Sequence, residues 1–192
     1  MARATIVLPA TPPFRLDLTA WALRRRKKNV VDRWDGHRYS RIIVADDVPA
    51  RLTVTQETFG VEPTLLVTLE SAARMSRQAK EDAGRLVHKV LGLAVDLRPF
   101  YDRARGNAAI EGLVERFLGV RPPRFPSVFE ALVNAIACQQ VTLDLGIVLL
   151  NRFRSDSGRT SSPRAPCGTR SPRRPTWPTC PRSPSRDWGS VA

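Results

Sequence analysis

Long apolar runs are missing from this chain of 192 residues. A membrane-spanning helix needs roughly 20 consecutive apolar residues, and no stretch approaches that length. The N-terminal sequence MARATIVLPATPPF has an apolar run that is too short for the core of a secretory signal. We therefore expect an intracellular, cytoplasmic protein with no membrane span.

Cysteine and histidine are also scarce. The cysteines Cys138, Cys167 and Cys180 form no CxxC pair and are odd in number. This pattern suits a reducing compartment better than a disulfide scaffold. Since His37 and His88 lie far apart in the sequence, no metal site is indicated.

Acidic residues are few relative to basic ones. The chain has 18 Asp and Glu against 31 Lys and Arg, a net charge of +13 and an isoelectric point near 11.2. Clustered cations gain affinity for phosphates by releasing counterions, so nucleic acid is the first candidate partner. An anionic membrane surface is the second. The hydrophobic content of 42% is sufficient for a folded core.

The composition changes abruptly after Phe153. Residues 154–192 contain seven of the 16 prolines, eight serines and eight arginines, against only Asp156 and Asp187 as acids. Such a segment cannot bury enough apolar surface to offset the loss of chain entropy, so we predict that it is a disordered tail.

Two periodicities divide the remaining chain. The first predicts a β-rich domain over residues 1–76 and the second a helical domain over residues 77–153, which together make an α+β fold. The predicted strands are ATIVL, FRLDL from Phe14, HRYSRIIVA from His37, RLTVTQ and TLLVTLE. The predicted helices cover residues 19 to about 28, N-capped by Asp17 or Thr19, then 80–93, and then 107–118 with Ile110, Leu113, Val114 and Phe117 inward.

The first of these helices ends in the basic run RRRKK, from Arg24 to Lys28. Such a run is compatible with a nuclear signal or a DNA-binding patch. A solvated helix end is the simpler interpretation, because cations also suit a helix C-terminus.

A well-marked helix begins near residue 127. Ser127 and Glu130 have the spacing of a capping box, in which each side chain satisfies the other's backbone N–H. The apolar stripe that follows contains Phe129, Leu132, Val133 and Ile136, and its next positions are Gln139 and Gln140. Two glutamines at this point could simply cap the helix or line a loop.

The surrounding residues support a second interpretation. The sequence GVRPPRFPSVFEALVNAIACQQVT, from Gly119, resembles the helix-hairpin-helix DNA glycosylase superfamily, and within it the DNA-3-methyladenine glycosylase II branch. Further similarity lies in PPF at Pro12, YSR at Tyr39 and LGLAVDLRPFYDRA, so the resemblance covers about residues 12–153. It implies an N-terminal half like the TATA-binding-protein saddle, followed by an incomplete helix-hairpin-helix bundle.

The resemblance also implies a function. Enzymes of this family hydrolyse the glycosidic bond of an alkylated purine that has been flipped out of double-stranded DNA, and they need no metal or cofactor. It implies that Gln140 enters the stack as a wedge, with Gln139 beside it, Thr142 capping the next helix and Arg121 in the DNA-binding lead-in. Trp21 could line the base pocket or pack in the core, and Cys138 is interpreted as a small buried residue. We expect a monomer associated with the nucleoid.

The parts that perform the family's chemistry are not found in the sequence. The resemblance calls for a hairpin with a glycine-rich turn, aromatics that stack on the base and a catalytic Asp, all after Val148. Asp156 and Asp187 lie in the tail and receive no catalytic role. The tail is either a real basic segment or the product of a frameshift.

Three hypotheses of function follow. The first is a truncated and inactive 3-methyladenine glycosylase, the second a non-catalytic protein that binds damaged or bent DNA, and the third a relative acting on oxidised guanine. We also expect Phe129, Leu132 and Ile136 to be partly exposed, with poor solubility as the result, because the helices that would cover them are missing.

Overall fold

A five-stranded antiparallel sheet dominates the first half of the computed structural model, which describes residues 1–157. The strands are β1 (Ala2–Pro9), β2 (Arg33–Trp34), β3 (Tyr39–Ala45), β4 (Val48–Gln56) and β5 (Thr64–Ser71). Their order across the sheet is β1-β5-β4-β3-β2, so the first strand pairs with the last and lies at an edge. One helix lies between β1 and β2 and the others follow the sheet along the chain, so the predicted α+β fold is confirmed.

A tight turn sets the register of β3 and β4. Asp46 and Asp47 connect the pair Ala45 and Val48, and their φ angles are 51° and 61°. Two positive φ angles in a two-residue loop are typical of the turn that matches the twist of a hairpin, and Asp tolerates them well. The same turn also accepts hydrogen bonds from Ser76, through the Asp46 carboxylate.

One face of the sheet forms the core. Because side chains alternate along a strand, every second residue of β4 and β5 points inward. The fully buried residues among them are Leu52, Val54, Leu65, Val67 and Leu69. The alternation of apolar and polar residues that predicted these strands therefore corresponds to alternating burial in the structure.

Helix α1 (Leu16–Arg24) begins earlier and ends earlier than predicted. Its N-cap is Arg15, without a side-chain capping bond, so the expected caps Asp17 and Thr19 are wrong. The predicted strand FRLDL is also wrong, because it overlaps the start of this helix. Leu16, Ala20 and Leu23 are buried at helical spacing, and this packing decides the local structure.

Helix α2 (Arg77–Val90) packs against the sheet near β1 and β3. It starts three residues before the predicted position, because Ser76 caps it by accepting the Ala79 N–H at 3.0 Å. Its buried side includes Ala83 and Val87. The chain then turns at Gly92, where φ is 62°, a left-handed conformation that favours glycine.

Two short helices follow, α3 (Arg98–Ala104) and α4 (Glu111–Arg116). The predicted helix over residues 107–118 is therefore reduced to its centre. Its predicted inward side is only partly formed: Ile110, Val114 and Phe117 are half-buried, but Leu113 is 56% exposed and no residue of α4 is fully buried. An amphipathic pattern alone does not guarantee a partner to pack against.

The described chain ends with two helices, α5 (Val128–Cys138) and α6 (Leu143–Ser157), which pack against each other. All described residues belong to one compact unit. The predicted boundary between domains near residue 76 stays a prediction, and most of the predicted disordered tail lies outside the described residues. Within residues 1–157, no helix is both long enough and apolar enough to cross a membrane.

Candidate nucleic-acid interface

The start of α5 is fixed by two different contacts. Ser127 caps the helix, as its Oγ accepts the Glu130 N–H at 3.1 Å. The predicted capping box is only half formed, because the Glu130 carboxylate accepts two hydrogen bonds from Arg41. The side chain expected to close the cap instead connects α5 to the sheet.

The end of α5 presents the two glutamines. The helix ends at Cys138, and Gln139 is its C-cap, with its N–H donating to the Ile136 carbonyl at 3.3 Å. Gln140 follows with a φ of 57°, and both glutamines are exposed. A non-glycine residue in the left-handed region costs about 1 to 3 kcal/mol and is typical of functional loops. Gln140 is therefore an exposed residue at a strained position of the loop.

The loop closes tightly onto α6. Thr142 caps this helix, as its Oγ1 accepts the Leu145 N–H at 3.3 Å, which confirms the predicted capping role. A Cβ atom built at Gly146 would lie 2.7 Å from Cys138 Sγ and 3.0 Å from the Ala137 carbonyl oxygen. Only glycine permits α6 to approach the end of α5 this closely. The glutamine loop is therefore fixed at both of its ends by the packed helices.

The outer side of the two helices is apolar. On α5, Phe129, Leu132 and Ile136 are 64%, 56% and 70% exposed, which confirms the expected exposure. On α6, Phe153 is 49% exposed with its ring centroid 6.3 Å from that of Phe129, and Leu149 is 40% exposed. A contiguous apolar patch of this kind marks an interaction site or a tendency to self-associate.

The basic run is solvated only in part, because Arg26, Lys27 and Lys28 are exposed whereas Arg24 and Arg25 are half-buried. Arg24 Nη1 donates to the Trp34 carbonyl at 2.9 Å, within the N-terminal half. Arg25 has a φ of 58°, and its Nη2 donates to Asn134 Oδ1 at 2.5 Å. Its Nη1 also lies 3.7 Å from Cys138 Sγ. The interpretation of the run as a solvated end was wrong at Arg25, because the guanidinium joins α5 and is not left to water.

Neighbouring residues join the same segment to α6. Arg26 Nε lies 3.2 Å from Asp144 Oδ1 in the first turn of this helix. Asn151 donates from Nδ2 to the Lys28 carbonyl at 2.8 Å and accepts the Val30 N–H at 3.2 Å. The segment after α1 therefore contacts both helices that flank the glutamine loop.

A buried ionic cluster holds the other end of α5. Asp32 Oδ1 accepts from the Tyr39 hydroxyl at 2.6 Å and lies 3.3 Å from Arg41 Nη1. Arg41 Nη2 is 2.9 Å from both oxygens of Glu130. Asp32, Tyr39 and Arg41 are all buried, so the cluster is shielded from water and screening.

The cluster shifts the ionisation of its members. Burial raises the pKa of the Tyr39 hydroxyl well above its usual range, and the adjacent Asp32 carboxylate adds to the shift. Burial also acts to lower the pKa of the Arg41 guanidinium, but the surrounding negative charges outweigh it and raise that pKa. Tyr39 therefore stays neutral and Arg41 charged throughout the physiological range.

The structure contradicts the DNA-contacting role expected of Arg121. Its side chain is fully buried, and Nη2 donates to the Thr11 carbonyl. The backbone N–H of the same residue donates to Thr19 Oγ1 at 3.1 Å, and the guanidinium lies 5.7 Å from the centre of the Phe14 ring. Burial lowers the pKa of Arg121. A group enclosed in this way joins two parts of the chain and cannot reach a phosphate.

Trp21 lies on the outer side of α1. Its indole is 55% exposed and stacks on Phe117, with 6.2 Å between ring centroids and 19° between ring planes. Core packing, the competing interpretation, does not fit this exposure. A role in the base pocket stays a prediction.

Two further features bear on chemistry. Among the side chains of residues 1–153, no three of His, Cys, Asp or Glu come together as a metal site would require. The acidic residue that follows the glutamine loop most closely, Asp144, is 71% exposed and paired with Arg26. It is not the enclosed carboxylate that a hydrolytic centre would use.

Comparison with known proteins points to one kind of enzyme. No protein-family model matches the chain. The DNA-3-methyladenine glycosylase of Bacillus subtilis (strain 168) is 22% identical over 148 residues, which are 77% of this chain and 48% of that protein. The chain resembles it distantly and in part. A solved structure, the 3-methyladenine DNA-glycosylase from Archaeoglobus fulgidus, shares the fold with a TM-score of 0.56 and 23% identity.

That structure is matched over 77% of this chain and 47% of its own. The chain thus spans about half the length of each of these relatives. The family resemblance predicted from the sequence is confirmed at this level.

Sequence reasoning missed the arginine contacts. Arg25 and Asn134 are 109 residues apart, and Arg41 and Glu130 are 89 residues apart. The signals in the sequence were local and weak. Asn134 is a polar residue inside an apolar helix, and the position of Glu130 was already explained by the predicted capping box. Both polar residues are explained by partners on the N-terminal half.

Proposed function

We propose that this chain forms the DNA-probing part of a base-excision repair glycosylase that acts on alkylated purines of the 3-methyladenine type. The observation that carries the proposal is Gln140, exposed at a φ of 57° on a loop clamped between two helices. The distant resemblance to two such glycosylases supports it. The net charge of +13 suits a DNA partner.

In this proposal the loop acts when a damaged nucleotide leaves the stack. Flipping leaves a gap opposite the unpaired base, and a side chain that enters from the minor groove stabilises the open state. The Gln140 amide can fill this space and both donate and accept hydrogen bonds with the orphaned base. Gln139 supports it, and Thr142 fixes the following helix.

The finer architecture belongs to the same proposal. The N-terminal sheet with α1 and α2 would correspond to a half like the TATA-binding-protein saddle, and α3 to α6 to part of a helix-hairpin-helix bundle. The sequence of 192 residues has no Asp in the hairpin context that the reaction needs. Because this Asp is missing, we expect the chain to release little or no base. We also expect it to bind DNA as a monomer, without metal or cofactor.

Binding to an abasic site tests the proposal. Duplexes with and without a central abasic site are compared by mobility shift, using Gln140→Ala and the matched control Gln78→Ala, which is an exposed glutamine on α2. Gln140→Ala should weaken binding to the abasic duplex about tenfold, equivalent to one lost hydrogen bond of about 1.4 kcal/mol. Equal affinities for Gln140→Ala and the unmodified chain would rule out the wedge.

A second function has one observation in its favour. The exposure of Asp144 and its pairing with Arg26 leave the loop without an enclosed carboxylate among the described residues. This arrangement fits a non-catalytic protein that binds damaged or bent DNA. Release of 3-methyladenine from methylated DNA separates the two: turnover by these 192 residues would establish an enzyme, while abasic-site binding without release would favour the binding protein.

A further inference from the structure

Helix α5 is held at both ends by arginines of the N-terminal half. At its start, Arg41 binds Glu130 inside the buried cluster. In its central turn, Arg25 binds Asn134, and at its end the same guanidinium lies 3.7 Å from the sulfur of Cys138, the last residue before the glutamines. Arginines thus contact α5 at its start, its centre and its last residue, and the contact with Cys138 is adjacent in sequence to the glutamine loop.

We propose that Arg25 is the positioning residue of the Gln139–Gln140 loop. Its place in DNA recognition rests on the function proposed above, but the positioning itself follows from the contacts. Asn134 is buried and its Nδ2 donates to the Glu130 carbonyl at 2.9 Å, so it is a rigid anchor within α5. A forked guanidinium that binds this anchor and the Cys138 sulfur at the same time fixes where the helix ends.

The loop requires such support because it is short, exposed and carries a left-handed residue. A wedge acts well only if its geometry is set before DNA arrives, since ordering a loose loop on binding reduces affinity. The contact between Arg26 and Asp144 restrains the far side of the same loop. The adjacent residues Arg25 and Arg26 therefore align α5 and α6, the two helices that the Gln140 loop connects.

A direct phosphate contact is the competing role for Arg25, because the residue lies in a basic run. Its geometry argues against that role: the side chain is partly buried, and both terminal nitrogens have protein partners. Arg24 provides a matched comparison. It has the same charge and lies next in the chain, but its Nη1 donates to Trp34 within the N-terminal half.

The first test needs no DNA. Amide hydrogen exchange is measured for the unmodified chain, Arg25→Ala and the control Arg24→Ala. Exchange should accelerate about fivefold or more at Gln139, Leu145 and Gly146 in Arg25→Ala, because opening of the loop frees their N–H groups. The amides of β4 and β5 should keep their protection, and Arg24→Ala should leave the loop unchanged.

A conservative variant guards against general loss of folding. Arg25→Lys keeps the charge but lacks the fork that reaches two partners. Faster exchange confined to the loop in Arg25→Lys supports positioning by geometry. Loop exchange equal to that of the unmodified chain in both Arg25 variants overturns the proposal.

The second test is a double-mutant cycle on abasic DNA. If Arg25 acts through Gln140, Arg25→Ala weakens binding on its own but adds nothing to Gln140→Ala, and the salt dependence is unchanged. An additive loss, or a slope against log salt smaller by about 0.9, identifies a phosphate contact and overturns the positioning role. If Gln140→Ala has no effect while exchange at the loop still depends on Arg25, the wedge function fails and the positioning of the loop stands.

Discussion

Arg41 Nη2 lies 2.9 Å from both carboxylate oxygens of Glu130, a residue 89 positions further along the chain. Arg41 belongs to β3 and is buried, whereas Glu130 is in the first turn of α5 and is a quarter exposed. This one ion pair joins the sheet to the helix that leads to Gln140. The strength of this ion pair decides whether the sheet and α5 unfold as one cooperative unit.

Removal of the acidic partner should be costly. Glu130→Ala leaves Arg41 buried with Asp32 as its remaining acid, and loss of one member of a buried pair costs about 3 kcal/mol. Urea unfolding measures the change. The control Glu81→Ala breaks the exposed pair with Arg77 and should cost less than about 1 kcal/mol. Equal losses in the two variants would contradict a special role for the buried pair.

Tyr39 should make the fold sensitive to alkali. Burial raises its pKa above the usual 10.0 in the folded state. As pH rises, the unfolded chain therefore loses this proton first, so the stabilisation is complete below about pH 10 and is lost above it. Tyr39→Phe should flatten this decline, at a cost of about 2 kcal/mol at neutral pH for the lost hydrogen bond to the buried Asp32 carboxylate.

Melting temperatures of the Tyr39→Phe variant and the unmodified chain, measured in steps from about pH 8 to about pH 11, isolate this effect. The titration of lysines is shared by the two proteins and cancels in the comparison. Parallel curves would show that Tyr39 does not contribute to the alkaline transition.

Arg121 should be replaceable by an apolar residue of similar length. Among the residues that the structure describes, its Nε and Nη1 find no hydrogen-bond partner although both are buried, so the charge is poorly compensated. Arg121→Met should be neutral or stabilising by up to about 2 kcal/mol, whereas Arg121→Ala opens a cavity and should cost about 2 kcal/mol or more. Urea unfolding compares the two, and the salt dependence of DNA binding should be the same for the Met variant as for the unmodified chain. If the affinity of the Arg121→Met variant for DNA depended less on salt, Arg121 would have to contact a phosphate after all.

The apolar surface of α5 and α6 should promote self-association. Leu132→Glu and Ile136→Glu alter exposed positions, so the free energy of unfolding should change by no more than about 0.5 kcal/mol while light scattering at high concentration decreases. Lys27→Glu is the matched control, because it reverses a charge at an exposed site elsewhere. A similar decrease in scattering for Lys27→Glu would assign the effect to net charge and not to the apolar surface.

Local sequence patterns predicted the elements whose packing follows from their own periodicity. The strands of the core alternate cleanly, and Ser127 and Thr142 cap as short-range chemistry suggests. The segment from Phe14 was misjudged because it fits both periods, and only burial of Leu16 against the sheet decides in favour of a helix. Short-range patterns cannot distinguish such cases.

The candidate site was predictable in part for the same reason. The glutamines and their helix were visible from spacing and both glutamines are exposed, while their role in DNA binding stays a prediction. Arg121 was misplaced because a motif specifies its position in sequence but not its burial. The contacts of Arg25 and Arg41 depend on the tertiary fold, and no local signal reports a partner so distant in sequence.

The pairing of β1 with β5 also has a consequence for biosynthesis. Since Ala2 pairs with Ser71, the sheet cannot close until the ribosome has released β5, and α5 can dock only afterwards, on arginines already held in place. Contacts that span so many residues form slowly, because the chain must first lose the entropy of the intervening loop. The glutamine loop is thus assembled late, on a surface of the N-terminal half that has already formed when α5 leaves the ribosome.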